Sequence, residues 1–203
     1  MIKKKTIAID IDDVLGDTTE LVRRFVNKQT GSSLTIDDYK IPGDYHRYYD
    51  RIWELHGIAE RVNFEDFAQV MIRDQSELPL LPGATAAIHE LSKRFHVIFI
   101  TYRKSTWERA TRKWLKDYFS QDDVELYFTG HREDENYKTK GQLCQALGAE
   151  LLIDDNYEHC LSAVEEGIDA ILFGDLGWQK TVKVSVPHCK DWNEVLEYIT
   201  NAA

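Results

Sequence analysis

Acidic side chains follow two short apolar runs of the sequence, at the point where each run ends. They are Asp10, Asp12, Asp13, Asp154 and Asp155. If both runs are parallel strands, these carboxylates gather beyond one edge of the sheet, where ligands of such folds bind. Carboxylate oxygens are suited to a hard divalent cation, and such sites commonly act on phosphates. For either group alone a turn or a helix cap is the simpler interpretation, so the case for chemistry depends on their joint occurrence.

The elements that would position these side chains alternate between strands and helices. Four apolar runs indicate buried parallel strands, at residues 7–11, 97–100, 151–153 and 170–173. Residues 124–128 are a fifth candidate, placed toward a sheet edge. Apolar residues recur at helical spacing from Ala84 onward and again from Trp107 onward, and each series predicts a helix with one buried face. This order predicts an α/β fold, a three-layer Rossmann-like sandwich around a parallel central sheet.

Side chains with capping-box spacing predict where two of the helices begin. The pairs are Ser105 with Glu108, and Asp191 with Glu194. Trp107 and Trp114 lie at helical spacing with Ala110, which favours core positions over ligand contacts.

Residues 18–80 interrupt the alternation, since no strand pattern occurs there. Apolar residues around Leu21 and around Phe64 have helical spacing and predict two amphipathic helices, with a tyrosine-rich segment between them. We therefore predict a core domain made of residues 1–17 and 81–203. Residues 18–80 are predicted to be a small helical cap inserted after the first strand.

Four segments resemble the motifs of the haloacid dehalogenase superfamily. Residues 10–15 are similar to the first motif, and Thr101, at the end of a strand, to the second. Lys140, at the start of a helix, is similar to the third motif, and residues 153–155 to the acidic fourth. All four occur in order across most of the chain. The resemblance implies the superfamily's fold and a phosphohydrolase.

Secondary features resemble the cytosolic 5'-nucleotidase and 5'(3')-deoxyribonucleotidase-like group within that superfamily. They are the early insertion, the Asp154-Asp155-Asn156 sequence, and residues 173–175 followed by Trp178. One departure is Tyr102, which stands where a small residue is common in the superfamily. The resemblance therefore does not define the detailed shape of the phosphate pocket.

Catalytic roles follow from the resemblance together with the needs of phosphoryl transfer. Asp10 is the nucleophile, and the aspartyl-phosphate that it forms divides one difficult displacement into two easier ones. Asp12 is the acid that protonates the leaving oxygen and then the base that accepts a proton from water. The predicted cofactor is Mg²⁺, held by Asp10, the main-chain carbonyl of Asp12, and Asp154. Asp155 is expected to orient a metal-bound water.

Phosphate binding is assigned to the second and third motifs. Thr101, Tyr102 and Lys140 are expected to bind the phosphoryl oxygens. Thr101 could instead satisfy the strand end through its hydroxyl. Lys138 is close enough in sequence to replace Lys140, and the sequence leaves this alternative open.

Aromatic residues cluster in the middle of the predicted cap, at Tyr45, His46, Arg47, Tyr48 and Tyr49. Aromatic faces stack on bases and arginine pairs with phosphates, so Tyr45, Arg47, Tyr48 and Tyr49 are candidate substrate contacts. The alternative is that the tyrosines pack the cap and Arg47 is solvated. The predicted substrate is a nucleoside monophosphate, with a deoxyribonucleotide preferred.

Composition limits the classes of partner. The 203 residues carry a formal net charge of −10, which disfavours duplex nucleic acid. No run reaches membrane-spanning length, and aspartates interrupt the apolar stretch near the amino terminus, so we expect neither a membrane partner nor a signal peptide. Three cysteines without a CxxC pair favour a reducing cytoplasm. A homo-oligomer remains open.

The predicted function is a magnesium-dependent phosphomonoester hydrolase, specifically a 5'(3')-nucleotidase. One alternative is a phosphatase of the same fold acting on a sugar phosphate or a polynucleotide end. Another is a catalytically silent binding protein of this fold. Carbon–halogen hydrolysis is a third alternative. It would need neither Asp12 as an acid nor a metal, so the pair of aspartates favours a phosphate substrate. His131 and Arg132 follow the edge strand and are interpreted as surface residues.

Overall fold

A six-stranded parallel sheet forms the centre of the molecule. The computed structural model describes residues 4–119, 124–130 and 136–201. The strands are β1 (Thr6–Ile9), β2 (His96–Thr101), β3 (Leu126–Phe128), β4 (Ala149–Asp154), β5 (Asp169–Phe173) and β6 (His188–Cys189). Their spatial order is β3-β2-β1-β4-β5-β6, and every neighbouring pair is parallel. Asp10 therefore leaves the middle of the sheet, with the ends of β2 and β4 on either side.

Helices cover both faces of the sheet. In the described residues they are α1 (Thr18–Thr30), α2 (Tyr48–Leu55), α3 (Phe64–Arg73), α4 (Ala84–Arg94), α5 (Glu108–Phe119), α6 (Lys140–Leu147), α7 (Tyr157–Glu165) and α8 (Trp192–Asn201). Ala8 of β1 packs in one core with the buried cysteines of α6 and α7, while Ile7 and Ile9 pack in the other with α4, α5 and α8. Alternate residues of a strand point to opposite faces, so a strand covered on both sides is apolar throughout. The predicted three-layer α/β sandwich is confirmed.

Several element boundaries differ from the sequence predictions. Residues 126–128 form the edge strand β3, as expected, whereas β6 was not predicted because two residues are too few to give a pattern. Asp191 accepts a hydrogen bond from the amide of Glu194 at 3.0 Å, which confirms this cap. Ser105 instead begins a 3₁₀ turn, and α5 starts at Glu108. His131 and Arg132 lie outside the described residues.

Residues 18–80, all of which the structure describes, contain α1, α2 and α3 but no β-strand. The chain enters this segment from the sheet and returns to the sheet through two neighbouring stretches of backbone. The amide of Asp17 donates to Pro79 O and that of Leu81 donates to Leu15 O, both at 2.8 Å. Two short hydrogen-bonded connections therefore join the helical segment to the sheet. None of the described helices is long and apolar enough to cross a membrane.

A glycine fixes how closely the helical segment approaches the loop after β5. A Cβ built on Gly177 would lie 1.8 Å from the hydroxyl oxygen of Tyr48 and 2.3 Å from Ile41 O. The amide of Gly43 donates to Gly177 O at 3.3 Å, and the Thr181 hydroxyl donates to Gly43 O at 3.1 Å. Because any larger residue at 177 would collide with backbone as well as side chain, this contact requires glycine.

Candidate active site

Three buried charged groups meet beyond the carboxyl end of β1. The ammonium of Lys140 lies 2.7 Å from Oδ1 of Asp10 and 2.6 Å from Oδ2 of Asp154. The exposed fractions of Asp10, Lys140 and Asp154 are 4%, 2% and 0%. Burying charge is costly unless it is paired, and here one cation faces two carboxylates. The structure thus brings together three residues that the sequence predicted for the site.

Lys140 owes its place to the start of α6. Thr139 caps this helix, since its hydroxyl accepts from the amide of Gln142 at 3.1 Å. A Cβ on Gly141 would lie 1.9 Å from Ser162 O of α7, so the two helices touch at this glycine. Lys138 is exposed, and its amide is bound to Thr129 O. Lys140, rather than Lys138, is the lysine beside Asp10.

Asp155 joins Asp10 and Asp154 in a carboxylate cluster. One oxygen of each lies within 4.8 Å of the others. Burial raises the pKa of Asp10, and burial together with the charge of Asp154 raises the pKa of Asp155. For Asp154, burial is outweighed by Lys140, which lowers the pKa. Three carboxylates clustered this closely fit a hard cation such as Mg²⁺.

The carboxylate of Asp12 is held by a buried arginine. Arg103 donates from Nε to Oδ2 and from Nη2 to Oδ1, each at 2.8 Å, and the Thr18 hydroxyl donates to Oδ1 at 2.6 Å. Burial raises the pKa of Asp12, but the charge and hydrogen bonds of Arg103 outweigh it and lower the pKa overall. The sequence analysis gave Arg103 no role. The sequence did contain a clue: Arg103 is a cation two residues after Thr101, at a strand end predicted to lie next to the carboxylates.

Asp13 adopts a left-handed backbone conformation, with φ of 53°. Its side chain accepts from the amide and the hydroxyl of Thr19, both at 2.9 Å. Burial raises the pKa of Asp13 to about 8. Asp13 therefore fastens the loop after β1 to the first turn of α1 and is a structural residue of the site.

A cavity of about 360 Å³ opens above these groups. Its floor includes Asp10, Asp12 and Lys140, and most of its walls are aromatic: Tyr45, Tyr49, Phe64, Phe67, Tyr102, Trp107 and Trp178. Four of these wall residues come from the helical segment and three from the rest of the chain. The arrangement places carboxylates and an ammonium beneath a largely aromatic cleft, a combination that could receive an anion with a planar group attached.

The tyrosine-rich segment divides into residues that face the cavity and residues that do not. The ring of Tyr45 lies 5.8 Å from that of Trp178 at the cavity wall. Tyr49 lines the cavity and shares a hydrogen bond with the Thr19 hydroxyl at 2.9 Å. Tyr48 reaches the cavity but is 3% exposed, and its hydroxyl lies 2.6 Å from Tyr39 O, so it mainly packs the segment.

Two sequence interpretations require correction. Arg47 was a candidate substrate contact, but it is absent from the cavity wall, exposes 68% of its side chain and pairs with Glu54 at 2.8 Å. It lies on the outward side of the segment because α2 begins just after it. Trp107 was assigned to the core, and it does pack against the core, but it also lines the cavity because it belongs to the 3₁₀ turn that precedes α5. Trp114 is a core residue as predicted.

Of the two phosphate contacts expected from the second motif, only one lies at the cavity. Tyr102 lines the cavity, whereas Thr101 is fully buried beneath it and accepts from the amide of Arg103 at 3.1 Å. His159 also lines the cavity and was not predicted. It lies in the first turn of α7, where Nδ1 is 3.1 Å from Oδ1 of Asp154. Burial lowers its pKa. Its position one helical turn after residues 154–156 was the signal available in the sequence.

Comparison by sequence finds no protein-family model and no curated protein that matches the chain. Comparison by structure finds many matches. The HAD-hydrolase YfnB from Bacillus subtilis, solved with magnesium bound, is 16% identical with a TM-score of 0.61, and the alignment covers 98% of this chain and 99% of that one.

Two further solved structures have the same architecture. The haloacid dehalogenase-like protein ATU0790 from Agrobacterium tumefaciens, of unknown function, has a TM-score of 0.65 at 13% identity, with 98% of each chain covered. A protein described as a β-phosphoglucomutase from Thermotoga maritima has a TM-score of 0.56 at 20% identity, covering 98% of this chain and 100% of that one. At these identities the likeness shows the fold, which is that of the haloacid dehalogenase-like hydrolases.

Proposed function

We propose that this chain is a magnesium-dependent phosphomonoester hydrolase of the haloacid dehalogenase superfamily that works through an aspartyl-phosphate on Asp10. The observation that carries the proposal is the buried group of Asp10, Lys140 and Asp154 at the floor of an open cavity. A carboxylate beside a fixed cation can approach a phosphate, whereas an unpaired carboxylate would repel it.

Each residue near the floor then has a defined task. Asp10 attacks phosphorus, and Lys140 stabilises the charge on the phosphoryl oxygens as the bond to the leaving oxygen breaks. Asp12 supplies a proton to that oxygen and later accepts one from water. Asp10, Asp154 and the main-chain carbonyl of Asp12 would hold Mg²⁺, with Asp155 beside them in the same carboxylate cluster, and the ion when bound supplies the positive charge that brings two anions together.

Residues 18–80 act in this proposal as a cap over the core formed by residues 1–17 and 81–203. The support comes from the cavity walls, where Tyr45, Tyr49, Phe64 and Phe67 come from the segment and face Asp10 across the cleft. A cap that covers the site excludes water and brings substrate-specific side chains to a common catalytic floor.

The substrate is, in our proposal, a nucleoside monophosphate, with a deoxyribonucleotide preferred. Aromatic side chains such as Tyr45, Tyr102 and Trp178 offer faces and edges to a base, while Lys140 receives the phosphate. Stacking of one base is worth about 1–3 kcal/mol on the scale of alanine substitutions in nucleic-acid binding. That is roughly one to two decades in affinity.

A sugar phosphate is the second candidate. It is favoured by the likeness of the fold to the protein described as a β-phosphoglucomutase. A sugar presents hydroxyl groups and no aromatic face, so the aromatic walls of the cavity give it fewer specific contacts than they give a base.

The test is a comparison of kcat/KM, with Mg²⁺, for deoxynucleoside monophosphates, ribonucleoside monophosphates, small sugar phosphates and an aryl phosphate. The unaltered chain is compared with Tyr45→Ala and Tyr49→Ala, which change the cavity wall, and with Arg47→Ala as the matched control outside it. We expect nucleotides to exceed sugar phosphates by at least tenfold, and the two tyrosine variants to reduce that preference.

Three outcomes separate the parts of the proposal. Equal kcat/KM for nucleotides and sugar phosphates would remove the nucleotidase assignment and leave the general hydrolase. A nucleotide preference that both tyrosine variants retain would show that the base binds elsewhere. Absence of turnover with every phosphate ester would overturn the hydrolase itself.

A further inference from the structure

Arg103 has no part in the roles given above, yet it makes the most extensive polar contacts of any side chain described at the site. It is 5% exposed, and its guanidinium binds both oxygens of Asp12 at 2.8 Å. A two-point contact between a guanidinium and a carboxylate fixes the plane of both groups. The contact therefore sets the direction of the Asp12 carboxylate as well as balancing its charge.

The remaining donors of Arg103 connect it to the chain that returns from the helical cap. Its Nη1 donates to Oε1 of Gln75 at 2.8 Å and to the hydroxyl of Thr111 at 3.2 Å. Gln75 is 2% exposed and lies between α3 and the connection to the core, where its Nε2 donates to Met71 O at 2.9 Å. Met71 belongs to α3, so a short chain of hydrogen bonds joins the cap to Asp12.

The contacts with Arg103 and Thr18 occupy most of the hydrogen-bond acceptor sites of the Asp12 carboxylate. An ionised carboxylate has about four acceptor sites, two on each oxygen. Arg103 uses one on each oxygen, and the Thr18 hydroxyl uses the second on Oδ1. Among contacts made by the described residues, one site is left, and it is on Oδ2.

We propose that Arg103 is a positioning residue, which presents Oδ2 of Asp12 as the atom that carries the proton and which ties its direction to the cap through Gln75. This rests on the proposed hydrolase function. In the first step a proton on Oδ2, gained from water in the preceding turnover, passes to the leaving oxygen as its bond to phosphorus breaks and the bond from Asp10 forms. In the second step water attacks phosphorus, its proton passes to Oδ2, and the bond to Asp10 breaks.

The dependence on the leaving group distinguishes this role from a structural one. An alkyl phosphate needs a proton on its leaving oxygen, whereas p-nitrophenyl phosphate releases a stable anion without one. With enzyme in excess and Mg²⁺ present, the rate of alcohol release in a single turnover measures the first step for both esters. The variants are Arg103→Met and the charge-conserving Arg103→Lys.

We expect Arg103→Met to slow release from the alkyl ester by about a hundredfold, the lower range for loss of a positioned acid, and release from the nitrophenyl ester by less than about threefold. Arg103→Lys keeps the charge without the two-point geometry, so its loss should be intermediate and equally selective. Equal losses with both esters, or no loss with either, would overturn the role of Arg103 while turnover by the unaltered chain still supports the hydrolase. No turnover of either ester by the unaltered chain would overturn the hydrolase and this role together.

A second variant keeps the test valid if Arg103→Met fails to fold. Gln75→Met removes one anchor of Arg103 without touching Asp12, and we expect a selective loss with the alkyl ester of roughly fivefold. Its matched control is Trp114→Phe, which removes the hydrogen bond from Nε1 to Leu78 O at 3.0 Å. That bond joins α5 to the same returning chain but does not involve Arg103, so the ratio of the two rates should not change. An unchanged ratio in Gln75→Met as well would overturn the link to the cap.

Discussion

The ammonium of Lys140 lies 2.7 Å from Oδ1 of Asp10, and both side chains are almost fully buried. Lys140 is thus the counter-ion of the proposed nucleophile even without a phosphate in the cavity. Because it also contacts Asp154, its removal would leave two buried carboxylates facing each other. Stability and activity should consequently change together at this position.

Lys140→Met should abolish turnover and lower the free energy of unfolding by about 3–5 kcal/mol, the usual cost of leaving a buried charge unpaired. Lys138→Met is the matched control, because Lys138 is exposed and two residues away. Urea unfolding and steady-state kinetics measure both quantities. A control variant as impaired as Lys140→Met would contradict the assignment of the third motif.

Asp10→Asn should reduce turnover by at least about 10⁴-fold, since an amide cannot attack phosphorus. The fold should survive, because asparagine has nearly the same volume and removes a buried charge. Circular dichroism and thermal unfolding check the fold, and a sensitive phosphate assay checks the rate. Substantial activity in a well-folded variant would rule out Asp10 as the nucleophile.

Magnesium should be required for turnover and should stabilise the chain. A ligand present at a hundred times its dissociation constant stabilises by about 2.7 kcal/mol if it binds only the folded state. We expect thermal unfolding to shift upward with Mg²⁺ and the shift to diminish in Asp155→Asn, which removes a carboxylate from the cluster. Full turnover in excess chelator would disprove the metal requirement.

The metal-free chain should lose stability as the pH rises, partly through Asp13. Its pKa is about 8 in the folded state and 3.8 in the unfolded reference, so between these values the folded state retains a proton that the unfolded chain releases. Stability from this group is complete below about pH 4 and declines toward pH 8.

Asp13→Asn should reduce that decline by roughly 1–3 kcal/mol, because the amide does not titrate and asparagine tolerates the left-handed backbone. Urea unfolding in chelator at pH 5 and pH 8 makes the comparison. Parallel pH dependences in the two proteins would show that Asp13 is ionised in the folded state.

The sequence predicted the sheet and the residues of the cavity floor because both depend on local patterns. Strands buried on both faces are apolar throughout, and a parallel sheet gathers the residues that follow its strands. Asp10, Lys140 and Asp154 could be placed for that reason. The burial of Thr101 below the cavity could not, since a strand end gives no information about depth.

The cavity walls were harder to predict because they depend on how distant elements meet. Arg47 and Tyr48 are neighbours in a promising cluster, yet one points outward and the other packs inside, owing to the start of α2 between them. His159 and Arg103 gain their importance from contacts with Asp154 and Asp12, which lie on other strands or loops. Such pairings are visible only after the chain has folded.

The central position of β1 has a consequence for the order in which the protein acquires its structure. Thr6 pairs with His96 on one side and with Ala149 on the other, so the first strand to be synthesised gains one partner near the middle of the chain and the second only well into its C-terminal half. Contacts so distant in sequence require closure of long loops and slow the folding rate. We expect the loop that carries Asp10 to be among the last parts of the chain to gain protection from hydrogen exchange during refolding.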